Sequence, residues 1–272
     1  MSRVSEWDEL APGVLRRRYE SLDLNIGLVI GEDGALVIDT RASHIQARQL
    51  IDDVRLVTDA PIRWVVDTHW HWDHTFGNAV FGDATIYGHT ECRQALAARG
   101  EAAKDELLRS WQGSDSSPEV DEIEIRLPDV VFDTDIAIQV GGRTVTATFH
   151  GLGHTEGDVV VMASNAPVIF AGDLLEENAP PWFGDGYPIA WPKTVARLPI
   201  EAGTITVPGH GSIMTAERVA TQREELMWIA AMASSAHASG TPVEAIDIRG
   251  APYPEQTMRE ALNRAYLELG AK

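Results

Sequence analysis

Three histidines and one aspartate fall within six residues at His69-Trp70-His71-Trp72-Asp73-His74, directly after the apolar run Ile62-Arg63-Trp64-Val65-Val66. Such a run reads as a buried strand, so the cluster begins where a strand leaves the core. In extended backbone, alternate side chains share a face. His69 and His71 can therefore address one point, and Asp73 and His74 another as the chain turns. Imidazole nitrogen and carboxylate oxygen are donors that suit zinc and iron. A fold for this chain must deliver a buried strand to a place where further donors can meet these four.

Further donors stand in turn-like segments that also follow strand-like runs. His154 lies in Gly151-Leu152-Gly153-His154-Thr155-Glu156-Gly157-Asp158, and His210 in Pro208-Gly209-His210-Gly211. Glycine lets backbone pass close to a ligand without steric cost. Asp173 follows Val168-Ile169-Phe170-Ala171-Gly172, and a carboxylate ending a buried strand needs a partner, since a lone buried charge is costly. His44, His89, His150 and His237 stand outside these motifs and read as surface or hydrogen-bonded residues.

The rest of the chain supplies strands in two batches, each followed by helices. Leu24–Ile30 and Ala35–Ile38, separated by the turn Gly31-Glu32-Asp33-Gly34, form a hairpin pattern. Ser43 reads as the N-cap of a helix over His44 to Val57, where Ile45, Leu50, Val54 and Val57 recur near helical spacing. Glu91 to Gln112 reads as a helix containing Cys92 as a packing residue, broken by the loop Gly113 to Pro118. Val130–Phe132, Ile136–Val140 and Arg143–Phe149 read as strands, with Gly141-Gly142 turning between the last two. Val159–Met162, Val168–Phe170 and Thr204–Val207 extend the batch, and Met214 to His237 and Glu255 to Leu269 read as helices. No short repeat appears and composition does not shift, so residues 1–272 read as one α+β domain, two facing sheets with helices outside.

Charge narrows the partners. Lys and Arg number 22 against 41 Asp and Glu, a formal net charge of −19. Such a surface repels phosphate backbones and anionic headgroups, which argues against nucleic acid and membrane partners. A single cysteine allows no internal disulfide, which fits a reducing compartment. The opening MSRVSEWDELAPG lacks a basic start followed by an apolar run, so a cytoplasmic protein is expected. No feature of the sequence sets an oligomeric state.

Taken in order, His-x-His-x-Asp-His, Gly-His-Thr, Gly-Asp and Gly-His-Gly resemble the metal signature of the metallo-β-lactamase superfamily over roughly Asn25 to Gly211. The resemblance implies an αββα sandwich with a two-metal site at one edge between the sheets. It implies that His69, His71 and His154 hold one metal, that Asp73, His74 and His210 hold the other, and that Asp173 bridges. It also implies that Asp39, in Ile38-Asp39-Thr40, supports the metal loop from behind. The expected cofactor is a pair of zinc ions, iron or manganese being other divalent fits.

Paired divalent ions generate a hydroxide at neutral pH and polarise a carbonyl, so a hydrolase acting on an ester, lactone, thioester or amide is expected, with Asp73 orienting the nucleophile or moving its proton. Serine or cysteine is usual at the position of Asp173 in the antibiotic-hydrolysing members, so the aspartate resembles other branches. A β-lactam hydrolase is one alternative. A mononuclear iron enzyme resembling the persulfide dioxygenases is another. Trp182, Phe183, Tyr187 and Trp191 follow Asp173 in a Pro/Gly-rich loop. They read equally as an aromatic wall for an apolar small-molecule substrate and as rings packing the loop down. Trp70 and Trp72 read as packing or pocket edge, and Glu101 to Trp111 as a lid by position.

Overall fold

The computed structural model describes residues 6–110 and 122–270. Two sheets face one another. The first runs β1 (Asp8–Ala11), β2 (Val14–Tyr19), β3 (Leu24–Ile30), β4 (Ala35–Ile38), β5 (Ile62–Val66), β6 (Thr85–His89) and β7 (Val130–Phe132), in spatial order equal to chain order. The second is ordered β12 (Ile205–Val207), β11 (Val168–Phe170), β10 (Val159–Ala163), β9 (Arg143–Phe149) and β8 (Asp135–Val140). The two batches read from the sequence match the two sheets except at Val130–Phe132, which was read with the second batch and is the edge strand β7 of the first sheet; the helices lie outside them.

Alternation along the strands builds this sandwich. Leu36 and Ile38 of β4 enter the core between the sheets, with Val159 and Val161 of β10 and Val168 and Phe170 of β11. The intervening Ala35 and Val37 face the other way, onto Ala47, Leu50 and Val54 of α1 (His44–Arg55). Likewise Val160 and Ile169 face outward onto Val195 of α4 (Trp191–Val195), Leu226 and Ile229 of α5 (Ala216–Ala238) and Met258 of α6 (Glu255–Gly270). A period of two gives each strand two buried faces of different partner. Ser43 caps α1 by accepting from the Gln46 amide at 3.2 Å.

The first four strands form an antiparallel meander, whereas β4, β5, β6 and β7 run parallel. Parallel neighbours need crossovers. Here α1 joins β4 to β5, the segment holding the short α2 (Trp72–Thr75) joins β5 to β6, and α3 (Thr90–Ser110) joins β6 to β7. The expected end of α3 at Gln112, the lid residue Trp111 and the loop Gly113 to Pro118 lie outside the described residues. Cys92, on α3, is fully buried against Trp70 and Phe76, as its packing role requires. Sequence reading missed β1, β2 and β6.

Candidate metal centre

Each donor segment leaves a strand at the same edge of the sandwich. Thr68–His69 follows β5, the His154 loop joins β9 to β10, Asp173 follows β11, and His210 follows β12. β11 and β12 are parallel, with Phe170 opposite Val207, so their continuations emerge side by side. The Gly209 amide donates to the Gly172 carbonyl at 2.8 Å. A Cβ on Gly209 would stand 1.7 Å from Asp173 Oδ1, so only glycine lets this turn pass over the carboxylate. The Val159 amide donates to the Thr68 carbonyl at 2.8 Å, tying the His154 loop to the HWHWDH segment.

All seven donors converge in two groups: His69, His71, His154 and Asp173, and beside them Asp73, His74 and His210. In the first, His71 Nδ1 lies 3.0 Å from His69 Nε2 and 2.8 Å from His154 Nε2, and Asp173 Oδ2 lies 3.6 Å and 3.4 Å from the latter two. In the second, His210 Nε2 lies 3.3 Å from His74 Nε2 and 3.2 Å from Asp73 Oδ2. Asp173 reaches this group too, at 3.3 Å from His74 Nε2 and 3.4 Å from His210 Nε2. Four donors about 2.1 Å from a tetrahedral ion would sit about 3.4 Å apart, and the separations here, 2.8 to 3.6 Å, bracket that value.

The outward nitrogens settle what points inward. His74 Nδ1 donates to Asp39 Oδ2 at 2.8 Å, His210 Nδ1 to the Leu22 carbonyl at 2.7 Å, and His71 Nε2 to Asp185 Oδ1 at 3.1 Å. Thr68 Oγ1 gives its proton to Asp39 Oδ2 at 2.9 Å, so it accepts from His69 Nδ1 at 3.1 Å. In each of these four imidazoles the other ring nitrogen therefore faces the cluster, the orientation a metal ligand needs. Asp173 Oδ1 is buried at the cluster without a hydrogen-bond partner, and five imidazoles crowd two carboxylates there. The residues present fit a bound cation pair.

Electrostatics reinforce the geometry. Burial alone would raise the Asp73 carboxyl, yet the imidazoles of His74 and His210 hold it at about 2. Burial pushes the His154 imidazole down to about 4. Burial, aided by the nearby Asp173 charge, pushes the Glu176 carboxyl up to about 8.

A cavity of about 600 Å³ opens on the cluster, with His71, Asp73, His154, Asp173 and His210 at its floor. Trp70, Trp72, Trp182, Leu107, Ala103 and Leu22 supply apolar wall. The four-ring expectation divides. Trp182 is 48% exposed and stands over His71 at 5.1 Å between centroids. Phe183 and Trp191 are fully buried and pack the loop onto the body, and Tyr187 is not a lining residue. The C-terminal part of α3 forms one wall through Ala103, Glu106, Leu107 and Ser110.

Two residues escaped sequence reading. Asp185 sits in Phe183-Gly184-Asp185-Gly186, where it looks like a turn residue. Glu176 stands 3.9 Å from His154 Nδ1 and accepts the Trp182 amide at 3.0 Å. A carboxylate three residues after Gly172-Asp173 gave no signal of its own.

The fold and the paired His/Asp groups define a metal-dependent hydrolase of the αββα class. A family model for the metallo-beta-lactamase superfamily matches residues 22–226, and the chain belongs to that superfamily. It is 23% identical over 189 residues to metallo-beta-lactamase IND-1 of Chryseobacterium indologenes, covering 67% of this chain and 69% of that one. It is 23% identical over 189 residues to metallo-beta-lactamase type 2 of Bacteroides fragilis, covering 68% and 67%. Among solved structures, the metallo-beta-lactamase from Pontibacter korlensis matches with a TM-score of 0.63 and 20% identity over 82% of this chain and 98% of that one. The stereoselective inverting sec-alkylsulfatase Pisa1 from Pseudomonas sp. matches with a TM-score of 0.75 and 15% identity over 97% of this chain and 50% of that one. These structural likenesses establish the fold.

Proposed function

We propose that the chain is a dinuclear zinc hydrolase that opens ester, lactone, thioester or amide carbonyls. His69, His71 and His154 hold one ion, Asp73, His74 and His210 the other, and Asp173 serves both. The observation that carries this reading is Asp173, whose carboxylate lies within 3.3 to 3.6 Å of donors in both groups. Ions bound there would supply an ionised water at neutral pH and polarise the scissile carbonyl.

The chain's own residues do the rest. Asp39 and Asp185 fix the ring orientation of His74 and His71. Asp73 Oδ2, on the cavity floor, orients the attacking water and takes up its proton. The tryptophan-lined wall holds the apolar part of a small-molecule substrate and keeps bulk water out. Residues 1–272 act as a single domain. Among the described residues no helix is long and apolar enough to cross a membrane, and the lone buried Cys92 fits a reducing, cytoplasmic setting.

Metal analysis of protein purified without added metal, with a panel of chromogenic esters, lactones and thioesters, tests the reading. Two zinc ions per chain and turnover of at least one panel member are expected; one iron per chain would overturn it. A second reading, β-lactam hydrolysis, draws on the names of the two relatives at 23% identity, and nitrocefin in the same panel tests it.

A further inference from the structure

Charge in the cavity is distributed unevenly, and the distribution bears on what can enter. Among the described residues no lysine or arginine lines it, whereas Asp23, Glu106, Glu176 and Glu177 do, apart from the two aspartates of the cluster. The cations nearest the rim are already engaged. Arg18 forks onto Asp23, with Nη2 at 2.7 Å from Oδ2. Arg218 Nε donates to Glu177 at 2.6 Å, and its Nη1 reaches Glu225 at 3.4 Å. On α3, Lys104 donates to the Ile123 carbonyl at 2.6 Å. Arg99 is bound to Asp185 at 3.0 Å and to Glu156. Glu106, exposed on the α3 wall, makes no hydrogen bond or ion pair among the described residues.

A ligand anchored at the cluster has Trp70, Trp72, Trp182 and Leu107 as apolar wall for its far end, in the cavity that Glu106 also lines. An apolar group gains there by leaving water. An anionic group would be stripped of water with no cation to receive it, and it would face Glu106 at close range. Building on the hydrolase reading above, we propose that the site selects carbonyl substrates whose group distal to the scissile bond is apolar and free of negative charge, and that Glu106 enforces the exclusion of distal anions.

The test separates binding from turnover. Three hydroxamates that anchor at the metals and are not hydrolysed are titrated calorimetrically into the zinc-loaded protein. They are 4-phenylbutanohydroxamic acid and its para-carboxy and para-aminomethyl analogues. The carboxy compound is expected to bind at least about tenfold more weakly than the parent, the size of one close like-charge contact with partial desolvation. Glu106→Lys should shrink that ratio to about threefold or less, and Glu106→Gln should fall between. Both variants change an exposed helical position, and unchanged melting temperatures report intact folding. Equal or tighter binding of the carboxy compound by the wild type, or no binding of any hydroxamate, overturns the proposal. Matched 4-nitrophenyl esters run alongside report the hydrolase reading separately. Selective binding without turnover of any ester, lactone or thioester would sustain the selectivity and sink the hydrolase assignment. Turnover with no preference between neutral and anionic esters would do the reverse.

Discussion

Asp185 holds His71 and Trp70 at once: Oδ1 accepts from His71 Nε2 at 3.1 Å while Oδ2 accepts from Trp70 Nε1 at 3.0 Å. Arg99 donates to the same Oδ2 at 3.0 Å and stacks over the Trp70 ring at 4.4 Å. From the other side, Arg264 of α6 donates to the Asp185 carbonyl at 2.8 Å. The loop after Asp173 thereby ties a metal-facing imidazole to two helices, to α3 through the Asp185 side chain and to α6 through its backbone carbonyl.

Removing that carboxylate should loosen the first ion. Asp185→Ala leaves His71 free to rotate and to exchange tautomers, and loss of such a partner typically costs 10- to 100-fold in metal affinity. Chelator competition is expected to show a loss in that range at one site per chain, with the far-UV circular dichroism spectrum unchanged. Wild-type affinity at both sites would remove Asp185 from the metal centre.

Asp73→Asn keeps the shape of the side chain and removes its charge and its basicity. The group His69, His71, His154 and Asp173 does not include it, so one ion per chain should remain tightly bound. Turnover should fall by about 10²- to 10⁴-fold, the usual range for losing a positioned base, with a further loss from the weakened second ion. A variant with near wild-type kcat would exclude Asp73 from proton transfer.

The metal donors were legible because short apolar runs mark the strands just before them: His69 after Ile62–Val66, Asp173 after Val168–Phe170 and His210 after Ile205–Val207. Asp185 was not legible, because its partners are 114 and 115 residues away in the chain and only tertiary packing joins them. The rings of the following loop were ambiguous for a related reason. In an irregular segment no period tells which side faces the core, so Trp182 and its neighbour Phe183 looked alike. β6 was missed because Thr85-Ile86-Tyr87-Gly88-His89 mixes buried and half-buried positions with a glycine, which blurs its alternation.

That pair of rings gives a direct contrast. Trp182 is 48% exposed and lines the cavity, whereas Phe183 is fully buried against Trp191 at 5.3 Å between centroids. Trp182→Ala should raise KM for an apolar ester severalfold and leave the melting temperature within a few degrees. Phe183→Ala should cost about 3–5 kcal/mol of stability, the range for emptying a buried aromatic site. Denaturant titration and steady-state kinetics on both variants check this. A stable Phe183 variant with a raised KM would reverse the assignment of the two rings.

Asp173 bears most on which reaction the centre performs. Its two oxygens reach donors of both groups, and a shared carboxylate offsets part of the repulsion between two cations. Asp173→Ser removes that negative charge and installs a residue type that resembles the antibiotic-hydrolysing members. The second ion should then bind more weakly, and hydrolysis of the best ester or thioester should fall with it. β-Lactam turnover should not rise to replace it, because Trp70, Trp72 and Trp182 still shape the cavity and no lysine or arginine lines it among the described residues. Zinc titration followed by kinetics on nitrocefin and on the preferred ester measures both effects in one preparation. Retention of two tightly bound ions would show that Asp173 does not set second-site occupancy. Faster wild-type hydrolysis of β-lactams than of every ester, lactone and thioester tried would make the protein a lactamase in spite of its aspartate.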